Sequence, residues 1–552
     1  MATNPQTPPT RTSAPARERF VLDPAHVGDI RGAFGTIGQH EEAHRGLRSR
    51  AVALLAIIGP GLIVMVGDND AGGVATYSQA GQNYHTSLLW VLILLVPVLI
   101  VNQEMVVRLG AVTGVGHAKL INERFGRFWG LFSVGDLFLL NFLTIVTEFI
   151  GVSLALSYLG VSKYIAVPAA AVALVGITAS GSFRVWERAM FLFVFANVLI
   201  VPLFFLVHPD YSAIAKGFTV PGILGGANST SVLLIIGMVG TTVAPWQLFF
   251  QQSNVIDKRI TPRWINYERL DTWIGAFVVV LGAGALIAVS AFAFPPGSPY
   301  FGHFTDAGGT ATALKDVIGP TAGTFYAIVL LNASLIGAGA LTLATSYAFG
   351  DVFGTKSSLH RRFSDAKLFY GTFALLIAAA AAIVLIPGAP LGVITLAVQA
   401  LAGVLLPSAT VFLLLLCNER EVLGPWRNAP WLNVLASVIV AVLVLLSLIL
   451  MITTVFPGVD VTTVTLVGAI ALGIALLAFG ALTLRSYHRR PPEPEAAFGE
   501  DVPREQWTMP PLALLARPKW SSGRKAAMLT MRAYLVVSVI LLIVKAAQLG
   551  GA

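Results

Sequence analysis

A dozen apolar stretches, each near the twenty or so residues that cross the hydrocarbon of a bilayer, follow one another between Ala51 and Leu484. Inside a bilayer every backbone donor and acceptor must find its partner within the protein, which makes such stretches helices. With 56% of its residues hydrophobic and 12% charged, the chain carries about half the charge of a soluble domain. It is therefore expected to be an all-α polytopic membrane protein. The predicted spans are 51–81 (broken), 87–107, 128–159, 164–180, 186–207, 231–253 (broken), 270–294, 317–349, 368–387, 391–416, 430–455 and 462–484. Ala533–Val544, between Arg532 and Lys545, is short for a span and reads as a thirteenth helix or an interfacial segment.

The net charge of +8 reports orientation, not nucleic-acid binding. Loops after even-numbered spans hold sixteen Lys and Arg, from Arg108 to Arg427; those on the other side hold three, Lys163, Lys216 and Lys315. Basic residues in short loops collect in the cytosol, so the amino terminus is expected inside a cell membrane. Residues 1–50, rich in Pro, Thr, Ala and Arg, read as a disordered cytosolic tail, and 485–532 as a cytosolic linker before the hydrophobic segment 533–552. The single Cys417 forms no intramolecular disulfide.

Two spans are interrupted. The first breaks at Gly67-Asp68-Asn69-Asp70-Ala71-Gly72-Gly73 and the sixth at Gly240-Thr241-Thr242-Val243-Ala244-Pro245-Trp246. Broken helices five spans apart and opposite in direction point to an inverted-repeat transporter, with repeats 51–207 and 231–416, helices eleven and twelve at 430–484, and a midplane site. Asp70 is the foremost candidate ligand, because a carboxylate at that depth is costly unless a cation or a proton neutralises it. Asp68 is expected to face the same side if the break is extended, and a vestibule if it is helical. Asn69 and the carbonyls of Gly67, Thr241 and Ala244 are further oxygen donors, and Gln399 in the tenth span offers an amide oxygen. Small Gly73 and Ala244 are expected to leave room for a partly hydrated ion.

Such an all-oxygen set suits Mg²⁺, Ca²⁺ or Mn²⁺, whereas thiolate, thioether and imidazole select Zn, Cu or Fe. Trp246, beside Pro245, either gates the path, stacks on an organic substrate or fills the bundle core. The nine histidines fall in tails, loops or span ends. Among buried acids, Glu148 is a candidate proton carrier, while Glu104 and Asp136 read as structural.

The chain resembles the Nramp family of divalent-metal/proton transporters from about Gly59 to Leu484. The likeness rests on Gly59-Pro60-Gly61, Gln79-Ala80-Gly81, Arg108-Leu109-Gly110-Ala111-Val112-Thr113-Gly114, Glu148-Phe149-Ile150-Gly151 and Leu406-Pro407 leading to Val422-Leu423-Gly424. It implies a LeuT-type fold of two five-helix repeats. Asp70 matches the family's acidic ligand, and Gln399 falls where members often have Gln. The motif proline is Ala71, however, the ligand asparagine is Gly73, the ligand methionine is Ala244, and the histidine after Pro245 is Trp246. Ile145 stands where a proton-pathway acid is expected. Losing the sulfur implies altered metal selectivity, and losing the histidine implies weak or absent proton coupling, as in the Nramp-related magnesium transporters.

The expected function is import of a hard divalent cation, Mg²⁺ before Mn²⁺, with no cofactor, no enzymatic activity and no nucleic-acid partner. A monomer in the lipid bilayer suffices. The alternative keeps the fold and changes the cargo to a small organic solute such as an amino acid, bound by half-helix amides and Trp246.

Overall fold

Gly59 and the stretch Gly67–Asp70 divide the first span into three helices. α1 (Leu47–Ile57) and α2 (Pro60–Val66) meet at a 53° bend, and α3 (Ala71–Tyr84) begins beyond the second interruption. The computed structural model describes residues 24–39, 46–388, 391–456, 458–487 and 502–515, with isolated positions between 528 and 536.

The bend is specified by chemistry. Pro60 opens α2, where its missing N–H is no loss. The Asp271 carboxylate, from a later helix, accepts hydrogen bonds from the amides of Gly59 (3.0 Å), Gly61 (2.7 Å) and Leu62 (3.2 Å). A Cβ at Gly59 would overlap the Glu187 carboxylate and lie 2.9 Å from Lys258 Nζ, so nothing larger than glycine fits.

α4 (Leu89–Thr113) ends at Gly114 in the left-handed region. A short α5 (His117–Phe125) leads into the long α6 (Arg127–Tyr158), and α7 (Lys163–Ala179) follows. α8 (Phe183–Ala196) continues through a 3-10 turn into α9 (Ile200–Leu206), and α10 (Tyr211–Thr219) lies in the next loop. The sixth span is α11 (Ser229–Thr242) and α12 (Pro245–Asp257), broken at Val243-Ala244. Then come α13 (Ile265–Ala293), α14 (Ala307–Val317), α15 (Pro320–Phe353), α16 (Lys367–Val384) and α17 (Leu391–Cys417). The short α18 (Arg420–Leu423), α19 (Pro430–Val455) and α20 (Val461–Tyr487) complete the helices.

Ten described helices are long and apolar enough to cross a membrane, the bent α1–α2 pair makes an eleventh, and α7 is a shorter apolar helix. The chain is an all-α polytopic membrane protein. α15 packs along α6, α13 against α2, α3 and α4, and α11 along α17. Glycines set the closest approach: a Cβ at Gly337 of α15 would lie 2.6 Å from Glu148 Oε2 on α6. Glu104 is an anchor, paired with Arg108 (3.0 Å) and Arg269 (2.6 Å), and Asp136 accepts from Ser408 (3.2 Å).

Part of the expected amino-terminal tail is folded. β1 (Ile30–Arg31) pairs antiparallel with β2 (Thr36–Ile37) after a 3-10 turn at Pro24–His26. The hairpin lies on the face that carries the basic loops. Arg184 donates to the carbonyls of Gly32 (3.1 Å) and Gly35 (3.2 Å), Arg188 to Ala33 (3.0 Å) and Arg259 to Ala25 (3.0 Å). Disorder was the wrong expectation for 24–39 because Ile30, Ala33 and Ile37 bury their side chains there, while the Pro- and Thr-rich composition lies before them; residues 1–23 and 40–45 are outside the described residues.

Within the linker 485–532, residues 502–515 also return to the basic face. Met509 donates to the Val112 carbonyl (3.0 Å), Trp426 Nε1 to that of Arg504 (2.8 Å), and the Arg504 guanidinium sits 4.1 Å over the Trp426 ring. Segment 533–552 lies outside the described residues apart from positions 534 and 536.

Candidate functional site

Asp70 is the N-cap of α3: its Oδ1 accepts from the Gly73 amide at 2.7 Å. An acidic residue suits that place, since it satisfies an orphan amide and sits in the positive field of a helix N-terminus. The Glu148 and Thr241 side chains lie against the same carboxylate. Glu148 Oε2 accepts from the Ala71 amide at 3.1 Å, and its Oε1 has no hydrogen-bond donor. Two carboxylates therefore share one helix terminus.

Asp68 is fully buried. Turn bonds from its amide to Met65 O and from Asn69 N to Val66 O, each 3.2 Å, close α2 above it. Its Oδ1 accepts from Gln247 Nε2, and its Oδ2 is left without a donor. Gln247 in turn donates to Thr242 O (3.1 Å) and accepts from Gln103 Nε2 (2.8 Å). This amide ties the first break to the second.

Gln399 reaches the N-terminus of α3, where a Cβ on Gly72 would collide with its amide, and its Nε2 has no acceptor. The assignment of amide nitrogen and oxygen is interchangeable at such a position, so Gln399 can present oxygen to a cation. Thr241 Oγ1 is likewise buried without a partner. Asn69 points elsewhere: its Nδ2 donates to Val279 O of α13 at 3.1 Å. Ala244 caps α12, and its carbonyl accepts from the Gln247 amide (3.3 Å).

Pro245 opens α12. Trp246 is almost wholly buried, edge-on to Phe250 at 5.8 Å, with Cη2 3.3 Å from where a Cβ on Gly67 would stand. Met65, near the first break, packs against Gly275 of α13. The room expected beside Gly73 is not there, because the backbone has closed on it. A Cβ at that residue would lie 2.7 Å from Asp68 O and 3.2 Å from Thr241 Oγ1.

The sequence reading missed Gln247 and Asp271. Gln247, Gln251 and Asn254 recur at i, i+4 and i+7, a polar stripe in an apolar span, and that periodicity was the available signal. Asp271 gave none, since its role depends on the bend it caps.

The site is shut on both sides: Asp68 is 0% and Asp70 3% exposed. A cavity of about 10 Å³ lined by Ala71, Thr147, Gly151, Asp306 and Thr395 lies toward the less basic face, which is room for about one water. A larger cavity, about 370 Å³, opens on the basic face between Pro24, His26, Lys119, Ser253 and Asp351. Among the described residues no three His, Cys, Asp or Glu side chains converge on one metal position. A bound ion would rest on one or two carboxylates, with amide, hydroxyl, carbonyl and water oxygens completing its shell.

A family model described as natural resistance-associated macrophage protein-like (Nramp) matches residues 61–453. The "Divalent metal cation transporter MntH" of Burkholderia ambifaria is 27% identical over 445 residues, which cover 77% of this chain and 95% of that protein. Its namesake in Deinococcus radiodurans is 26% identical over 442 residues, 74% of this chain and 94% of that one. Among solved structures, an Eremococcus coleocola manganese transporter superposes with a TM-score of 0.62 at 21% identity, over 82% of this chain and 98% of that one.

Proposed function

The chain belongs to the Nramp family, and from that premise we propose that it carries a hard divalent cation, Mg²⁺ before Mn²⁺, between its two broken helices into the cytosol. Divalent metal cation transport is the activity named for its relatives; it is a transporter, not an enzyme. The preference for a hard ion rests on one observation. The side-chain donors that meet at the breaks, from Asp68, Asp70, Glu148, Thr241, Gln247 and Gln399, are oxygens and amides, and Ala244 puts no sulfur among them.

In this reading Asp70 holds the ion, Asp68 Oδ2 completes or relays the charge, and Glu148 keeps the N-terminus of α3 in place through Ala71. The basic face is cytosolic. Trp246 and Ile145 stand where the resemblance implies titratable groups of a proton route, and in this reading the cation moves down its own electrochemical gradient. The electrical part of that gradient for a doubly charged ion at 100 mV is about 4.6 kcal/mol, twice the single-charge value. The space beside Gly73, filled by Asp68 O and Thr241, holds neither a hydrated ion nor an amino acid until the breaks part, and the larger amino acid needs the greater opening.

The test is a substitution series in proteoliposomes, paired with calorimetry on the purified chain. Uptake should rank Mg²⁺ and Mn²⁺ above Cd²⁺, with a heat of Mg²⁺ binding and none for amino acids. Amino-acid binding without a Mg²⁺ response would replace this reading with the organic-solute one.

A further inference from the structure

One turn below Gln247 the polar stripe of α12 meets a buried charge cluster on the basic side of the central site. Four charged side chains gather there, Glu187, Asp271 and Glu268 with Lys258, each 0–1% exposed. Two of the acids are committed. Glu187 pairs with Lys258 Nζ at 2.5 Å and accepts from the Ala33 amide at 2.5 Å. Asp271 is occupied by the three amides that open α2.

Glu268 is different. It feels the charges of Asp271, Lys258 and Glu187 and lies beside the Gln251 side chain, yet neither of its carboxylate oxygens has a hydrogen-bond partner. Lys258 has no spare reach, since its ammonium also donates to Ile58 O at 2.8 Å. Three carboxylates stand against one ammonium in the interior, where a carboxylate is costly unless a cation or a proton neutralises it. A divalent cation would supply that neutralisation for the one acid without a hydrogen-bond partner.

The neighbouring donors fit that cation. Gln251 spends its amide nitrogen on Thr272 Oγ1 (2.9 Å), and its Oε1 is unpartnered. Asn254, one turn further on and fully buried, has no partner on either side-chain atom. Counted from Gln247, which holds Asp68, these residues stand about 6 Å and 10 Å along the helix axis toward the basic face.

We infer that Glu268, with the amide oxygens of Gln251 and Asn254, forms a second, inner cation site where the transported ion halts before it leaves on the basic face. This rests on the transport reading above and adds a step to it. The ion passes from Asp70 and Asp68 along the amides of α12 to Glu268, exchanging oxygen ligands without giving up all its water. Release then waits on the parting of α1 from the Lys258–Glu187 pair.

Mn²⁺ serves as the probe. Counting bound ions by electron paramagnetic resonance on the purified full-length protein should give two per chain, one in Glu268→Gln and one in Asp70→Ala. In proteoliposomes Glu268→Gln should lower the maximal Mn²⁺ flux by roughly tenfold, as expected for the loss of one charged contact, with external half-saturation unchanged. Glu268→Asp should restore the second ion at weaker affinity, and Asn254→Ala should weaken it without touching the first. One ion in the wild type, or two ions and full flux in Glu268→Gln, would overturn the inner site while leaving Asp70 in place. Unimpaired uptake in Asp70→Ala would instead overturn the transport reading on which it rests.

Discussion

At Asp70 the chain places one carboxylate where a helix N-terminus, a second acid and two breaks meet. The residues around it explain how that position is held without the family's asparagine and methionine. Gly73 has let the backbone of Asp68 close in, so Gly73→Ala should push against Asp68 O and lower uptake without changing which ion is preferred, as initial rates for Mg²⁺ and Mn²⁺ would show. Ala244 bears on selectivity. Ala244→Met restores a soft donor and should move competition in favour of Cd²⁺ over Mg²⁺, measured by inhibition of Mn²⁺ uptake; an unchanged order would mean that position 244 does not face the ion. Asp70 and Gln399 were legible in the sequence because charge and amide stand out in apolar spans. Gln247 was marked only by the polar stripe it shares with Gln251 and Asn254, because an amide at a helix start looks like any packing partner until Asp68 is seen to lean on it.

Among the elements, the break in the first span was readable from its Gly-Asp-Asn-Asp-Ala-Gly-Gly cluster and that in the sixth from Gly240 and the proline that opens α12. The bend between α1 and α2 was not. It depends on Asp271 of α13, some two hundred residues on, whose carboxylate accepts from three amides. Asp271→Ala leaves those donors buried without acceptors and should destabilise the protein by about 2–4 kcal/mol, seen as a lower thermal midpoint in detergent; an unchanged midpoint would show that water replaces the carboxylate. The hairpin 24–39 escaped notice because four strand residues make too short a signal beside a Pro-rich stretch. Since Pro24 and His26 wall the 370 Å³ cavity with Ser253, removing residues 1–39 should expose that wall. A Ser253→Cys variant should then react several-fold faster with an impermeant thiol reagent, with the buried Cys417 replaced.

For the whole molecule, the shut site has a small cavity by Asp306 on one side and a larger one by Ser253 on the other, the arrangement that alternating access would require. The run of spans was legible because hydropathy and loop charge both follow from the bilayer, although of the twelve expected the described residues give eleven by length and hydropathy, with α7 shorter; contacts between distant loops leave no such mark. Ion flux without protons should leave a lumenal pH dye unmoved during Mg²⁺ uptake; acidification that disappears in Glu148→Gln would make Glu148 a proton carrier. The central claim, that a carboxylate at the crossing of two broken helices binds a hard cation through oxygen alone, is tested most directly by Mg²⁺ uptake into proteoliposomes holding equal amounts of folded wild type and Asp70→Ala. The account predicts robust uptake in the first and none above empty vesicles in the second; equal uptake in both would contradict it.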